Sequence, residues 1–404
     1  MLSNDLKKPP LAILLLLVSF ASVGAVLFTP ALPMITSAFH LSVGQGQLTI
    51  TAYLVGYAIG QLPYGPLANR FGRKKTLYIG ISIAILGSLL CAFSSPLESF
   101  NLLIFARFLQ ALGACVGLKV SYTMIADVYN QVDATKVLSR LLVAFAIMPG
   151  IAVAIGGYLT KWLNWESCFY FLALFGVFML WLCTRLPETV KSLDRHAMNI
   201  HSIAEGYGLK FKNKRVVISG LALGCASSVI YVFASKAPFI GINLIGLTPD
   251  QFGAYNLIPV VGMLLGAFIS AKLAGRFSVM GLILSGIVAS LIVSFTQLIP
   301  FSLGNVNPAS LFFPLFLIYI TSSVIFTNIT SFGLAHAQNK SNGSAVMNFI
   351  NLSTTVVAVL LSEFIYPESA ILLPLSIQIF FLAMLLLAFW IKRLETGNSQ
   401  RSHD

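Results

Sequence analysis

The sequence predicts an all-α integral membrane protein: twelve transmembrane helices in two pseudo-symmetric six-helix bundles, with both termini in the cytoplasm. Three observations carry this. Of 404 residues, 57% are hydrophobic and only 9% charged, far below the roughly 25% charged of soluble domains. Apolar runs of spanning length, about 20 residues, recur along the whole chain. The cations alternate from run to run onto one side, as the positive-inside asymmetry requires. Continuous helix is the natural state of each run, because lipid offers no partner to an open backbone group.

The runs lie at 11–39, 45–67, 76–95, 100–127, 138–162, 167–186, 214–237, 250–273, 279–300, 309–334, 343–366 and 370–391. The first follows Lys7 and Lys8 and could be taken for a signal peptide, but it continues to Phe39 and leads into further spans, so an uncleaved helix is expected. The second and third flank Gly65–Lys75, G-P-L-A-N-R-F-G-R-K-K, read as a short basic hairpin pinned to the cytoplasm. The fourth contains Arg107 and Lys119 and ends at Asp127; the fifth contains Pro149, Gly156 and Gly157. After the sixth comes the longest polar stretch, so the expected domains are 1–187, a cytoplasmic linker at 188–213, and 214–404. The eighth ends in K-L-A-G-R-F-S at Lys272–Ser278, which shares Leu, Ala, Arg and Phe with P-L-A-N-R-F-G at Pro66–Gly72. Both follow an even-numbered span, as a duplicated bundle requires, and paired repeats imply a substrate site near the bilayer midplane.

The net charge of +12 does not point to nucleic acid. All cations except Arg107, Lys119, Lys161 and Lys236 fall on the side that holds the termini. The five cysteines lie within spans, where a thiol acts as a small apolar group. No metal pattern, cofactor motif or nucleophile constellation is visible, so an enzyme is not expected. Nor is a receptor, since the tail from Glu395 to Asp404 supplies no soluble domain.

At Thr51–Lys75, T-A-Y-L-V-G-Y-A-I-G-Q-L-P-Y-G-P-L-A-N-R-F-G-R-K-K, the chain resembles the major facilitator superfamily. Within it the sequence looks most like the twelve-span drug:proton antiporters of the bicyclomycin-resistance (Bcr/CflA) branch. The resemblance assigns Gly65, Asn69, Arg70, Gly72 and Arg73 to a conformational gate. Arg107–Gly113, R-F-L-Q-A-L-G, is similar to the fourth-helix motif whose buried arginine is tied to proton coupling, and Tyr122 aligns with a pore-facing tyrosine. Pro149 with Gly156–Gly157 resembles the fifth-helix antiporter motif. The chain departs from the family where Asn69 replaces the usual acid, where Val153 replaces a second proline, and where Val26 stands in place of a first-helix carboxylate.

An ionisable residue within a span is costly and therefore a functional candidate. At 100° per residue Arg107, Cys115, Lys119 and Tyr122 fall within an arc of roughly 120°, so one face of the fourth helix can present both cations to a cavity. For Arg107 the alternatives are coupling or a structural hydrogen bond; for Lys119, a cavity cation or a partner of Asp127. Asp127 closes a gate with Arg70 or Arg140, or carries protons together with Glu363. Lys236, at the outer end of the seventh span, either snorkels or belongs to the site. Tyr53, Tyr57, Tyr231, Asn256 and Asn328 are polar groups in spans, available to substrate or to packing.

The expected function is a secondary active transporter of the inner membrane, working by alternating access and likened to multidrug efflux antiporters. Its cargo is drug-like or carboxylate-bearing, a siderophore for example, and anionic or neutral. The alternative is a proton-coupled importer of an anionic nutrient or siderophore. The energy source is a proton gradient or membrane potential, with no cofactor, and the chain is expected to be a monomer in the bilayer.

Overall fold

A computed structural model describes residues 7–190, 192–194, 197, 213–335, 340–364 and 369–400. The polar stretch read as a linker lies mostly outside the described residues. By internal contacts the chain divides into two compact units, Met1–Glu205 with Thr248–Gly253, and Gly206–Leu247 with Ala254–Asp404.

The first unit opens with α1 (Leu11–Val26), which passes through a 3-10 turn at Thr29–Ala31 into α2 (Leu32–Ala38). Pro30 and Pro33 each sit at the start of a helical segment, where the missing N–H costs nothing. Next come α3 (Val43–Gly60), started by a Ser42/Gln45 capping box, and α4 (Tyr64–Phe71). These are followed by α5 (Arg73–Phe93), α6 (Phe100–Ala114), α7 (Val116–Val128), α8 (Gln131–Trp162) and α9 (Glu166–Thr184). The second unit contains α10 (Lys214–Pro238), continued by a π turn at Phe239–Leu244. The short α11 (Pro249–Tyr255) belongs through Gly253 to the first unit. Then follow α12 (Leu257–Leu273), α13 (Val279–Ser302), α14 (Pro308–Ala335), α15 (Lys340–Phe364) and α16 (Leu372–Gln400).

Every expected span is a helix or a helix pair. Among the described residues, ten segments are long and apolar enough to cross a membrane. The second span is not among them: α3 has 18 residues, but Gln45, Gln47 and its glycines make it less apolar than the others. The eleventh contributes the shorter apolar helix Val346–Ser362. The basic segment Gly65–Lys75 is not the loop its composition suggests. Helix runs through it except at Gly72, which ends α4 and precedes α5 with φ 93°. Only glycine adopts that conformation without strain.

The pairing of helices repeats in the two units. In the first, α3 and α5 both pack on α6, α1 packs on α8, and α5 on α9. In the second, α12 and α13 both pack on α14, α10 packs on α15, and α13 on α16. Close approach through small residues, the usual means of helix contact in lipid, recurs at matched seams. Gly56 on α3 meets the carbonyl of Phe108 on α6, and Gly266 on α12 meets that of Ile320 on α14.

Candidate functional site

Arg107 is fully buried on α6. Its guanidinium donates to the carbonyls of Gly24 (2.9 Å), Ala25 (3.3 Å) and Thr49 (3.3 Å), and to Oε1 of Gln110 (2.5 Å). It lies over aromatic rings, 4.0 Å from the Phe28 centroid and 4.3 Å from that of Tyr53. Gln110 passes the network on to Ser88, 2.7 Å away. The charge is thus met by carbonyl and amide dipoles and π faces, with no carboxylate among its partners in the described residues. Beside it lies a cavity of about 10 Å³ lined by Tyr53, Ser88, Gln110 and neighbours, room for one water and for no organic ligand. The arrangement ties α1, α3 and α6 together. Tyr53, expected as a substrate contact, completes the same box: its hydroxyl donates to Ala21 at 2.7 Å. Tyr57 is also buried.

Lys119 occupies different surroundings. The face it shares with Arg107 is sealed at Arg107 and Cys115 and opens from Lys119 through Tyr122 to Ala126. The bend between α6 and α7 at Cys115 separates the two halves. The Lys119 stem runs along Gly65, where an added Cβ would lie 3.4 Å from Cε. Lys119 is half-buried, and no carboxylate lies within ion-pair distance of it among the described residues. It does not pair with Asp127.

That acid is engaged elsewhere. Arg73 holds Asp127 through two bonds, 2.9 Å from Nε and 3.2 Å from Nη2, and Thr189 donates to the same carboxylate at 2.7 Å. The partner is therefore Arg73, not Arg70 or Arg140. Arg70 is exposed and lies over Phe71. Arg73 also donates to Oδ1 of Asn69 at 2.8 Å and to the carbonyl of Ala68 at 2.7 Å. Glu188 accepts from the backbone of Arg73 and Lys74, satisfying the first N–H groups of α5. A side chain at Gly72 would collide with this carboxylate. Asn69 thus keeps a neutral bond to Arg73, and the anionic charge around that arginine comes from Asp127 and Glu188.

On α8 the two motif glycines serve separate contacts. Gly156 meets the carbonyl of Leu27 and Gly157 that of Pro249. Lys161 pairs with Asp250 at 2.8 Å. Pro149 lies within the helix, half-buried.

In the second unit Asn256 is half-buried at the break between α11 and α12. Tyr231 on α10 is also half-buried. Asn328 is buried and donates to Ser270 (3.2 Å) and to its own helix at Val324 (2.8 Å), a packing role. Lys236 does not snorkel; it is only 3% exposed. The side chain of Glu363 lies outside the described residues.

Sequence reasoning missed several polar groups. Both amide atoms of Gln47 are buried without a hydrogen-bond partner among the described residues, as are the hydroxyls of Ser121, Ser219 and Ser322. A lone Gln or Ser in an apolar run carries no signal of its partners. Glu188 and Thr189 were missed because they follow the sixth span, more than a hundred residues from the Arg73 they serve.

Residues 14–361 match a family model described as Major Facilitator Superfamily. The chain is 28% identical to the bicyclomycin resistance protein homolog of Haemophilus influenzae over 62% of each sequence. It is 26% identical to multidrug resistance protein D of Escherichia coli over 80% of this chain and 79% of that one. A solved D-xylose-proton symporter superposes with TM-score 0.75 at 16% identity, covering 94% of this chain and 96% of that chain, a likeness of fold alone.

Proposed function

We propose, given that the chain belongs to the Major Facilitator Superfamily and is a multi-pass transporter of the inner membrane, that it exports a small anionic or neutral organic molecule by alternating access. The single observation that carries the charge preference is Lys119: a half-buried ammonium on the open half of its helix face, with no carboxylate partner among the described residues. The run Leu11–Phe39 offers no acid to balance it. Attraction in a partly dehydrated site follows the sign of its unpaired charge, so this one favours carboxylate-bearing or polyhydroxy cargo over lipophilic cations. Export rather than import is supported by the bicyclomycin- and multidrug-resistance relatives.

Energetics agree with that direction. A membrane potential is worth about 2.3 kcal/mol per charge per 100 mV, and a negative interior drives anions outward. Outward movement of a carboxylate therefore needs no proton-carrying acid in the first helix.

The test is flux into inverted vesicles under an imposed potential, with anionic and cationic candidates compared with and without a pH gradient. Anion flux is expected to fall about tenfold or more in Lys119→Gln, equivalent to ~1.4 kcal/mol, and to persist in Lys119→Arg. Unchanged transport in Lys119→Ala, or cation export that dissipates the pH gradient, would overturn the reading in favour of a multidrug cation antiporter.

A further inference from the structure

The outer surface of the first unit carries a basic and aromatic cluster that the transport reading leaves unused. Helices α5 and α9 run antiparallel side by side, with Lys74 Nζ donating to the Thr184 carbonyl at 3.0 Å at one end and Gly176 in close contact with Ile85 further along. This brings Lys74, Lys75 and Arg185 to the same end of the pair. Arg185 lies 4.1 Å above the Trp181 ring, which stacks on Phe178 at 5.7 Å. Lys75 and Arg185 are exposed, and among the described residues none of the three cations has a carboxylate within ion-pair distance. Glu188 is the acid close by, and its oxygens are taken by the backbone N–H groups of Arg73, Lys74, Thr189 and Val190.

Away from the cations the same two faces are apolar and exposed. On α5, Ile79 and Leu86 continue the face of Lys75; on α9, Val177, Leu174 and Tyr170 continue the face of Trp181 and Arg185. One end thus offers several donors and, with Glu188 counted against Lys74, Lys75 and Arg185, a net positive charge. Next come aromatic rings of the kind that settle at the headgroup level, and then an apolar seam of hydrocarbon length. A soluble anion would use only the first of these features; a molecule with a phosphate head and acyl tails matches all three.

We propose that this α5/α9 face is a binding site for one anionic phospholipid. Its phosphate is held between Lys75 and Arg185, its glycerol region lies against Trp181, and its chains lie along the seam.

The experiment measures lipid retained by the purified full-length protein in native mass spectrometry, with phosphatidylglycerol, phosphatidylcholine and inorganic phosphate as separate probes. The wild type is expected to retain phosphatidylglycerol in preference to phosphatidylcholine. The double variant Lys75→Gln/Arg185→Gln should lose that retention by about twenty-five-fold, since each surface cation contributes roughly fivefold. Lys272→Gln/Arg276→Gln, in the matching basic turn of the second unit, should retain it. Trp181→Leu, which keeps every charge, guards against a folding defect in the double variant and should weaken retention by a smaller factor. Equal retention by the wild type and Lys75→Gln/Arg185→Gln would overturn the site, as would equal losses in the two double variants. Displacement of the lipid by millimolar phosphate would assign the cluster to a soluble anion instead.

Discussion

The two units pair their helices in the same order but hold them together by different means. In the first, a guanidinium is clamped among three backbone carbonyls, and a second arginine is locked to a carboxylate. Three ion pairs between described residues lie in this unit: Arg73–Asp127, Lys136–Asp133 and Lys161–Asp250. In the second, contacts across helices between described residues include neutral pairs: Ser290 to Thr321 at 2.5 Å, Asn328 to Ser270 at 3.2 Å, and Gln378 to the carbonyl of Ser294 at 3.3 Å. One helix arrangement therefore tolerates two kinds of interior. Buried charge is costly to leave incomplete, whereas hydroxyl contacts between membrane helices contribute less than about 2 kcal/mol each. The first unit should be the less forgiving of substitution.

The largest effect expected from this contrast is at Arg107. Its replacement by Leu leaves the carbonyls of Gly24, Ala25 and Thr49 without their donor, at a cost of ~3–5 kcal/mol, the range for breaking a buried charged network. The variant should yield little monodisperse protein and a strongly lowered unfolding temperature in detergent. A stable, transport-competent Arg107→Leu would break the comparison.

Asp127→Asn comes next. It keeps the shape but strips the charge from the Arg73 pair, and should cost about 1–3 kcal/mol, read as a lower thermal midpoint and slower transport. The reverse charge change, Asn69→Asp, sharpens the point. Asn69 already accepts from Arg73 and is exposed, so an added carboxylate should change stability by less than about 1 kcal/mol. A large gain would mean that the charge lent by Asp127 and Glu188 does not replace the acid missing at position 69.

The smallest effect belongs to the second unit. Ser290→Ala removes the hydroxyl contact with Thr321 and should cost ~0.6 kcal/mol, a shift near the limit of a thermal-unfolding assay. A loss comparable to that of Asp127→Asn would show that the second unit also depends on a critical polar network.

Much of this architecture was legible beforehand, because hydropathy and cation placement are local properties written into each segment. The spans, the duplicated basic motif and the candidacy of Arg107 and Lys119 all came from such signals. The site was legible only in part. Placing Arg107 and Lys119 on one arc was sound geometry, yet the arc is sealed at one end, where α1 and α3 supply the partners of Arg107, and more open at the other, where Lys119 lies half-buried beside Gly65. The expected loop at Gly65–Lys75 failed for a related reason. Glycines and cations suggest a turn, but helix persists on either side of Gly72, with Glu188 capping α5.

By itself the sequence determined that the chain lives in lipid, how many times it crosses, and which few charges stay inside, since desolvation acts on each residue wherever it finally lies. Tertiary structure alone decided which of those charges are spent on holding helices together and that Lys119 has no counter-charge among the described residues. The partners of Arg107 are chiefly backbone carbonyls from distant helices, and those of Arg73 lie across long stretches of chain. Neither kind of partner leaves a mark in the local pattern of residues, and only packing brings them within reach.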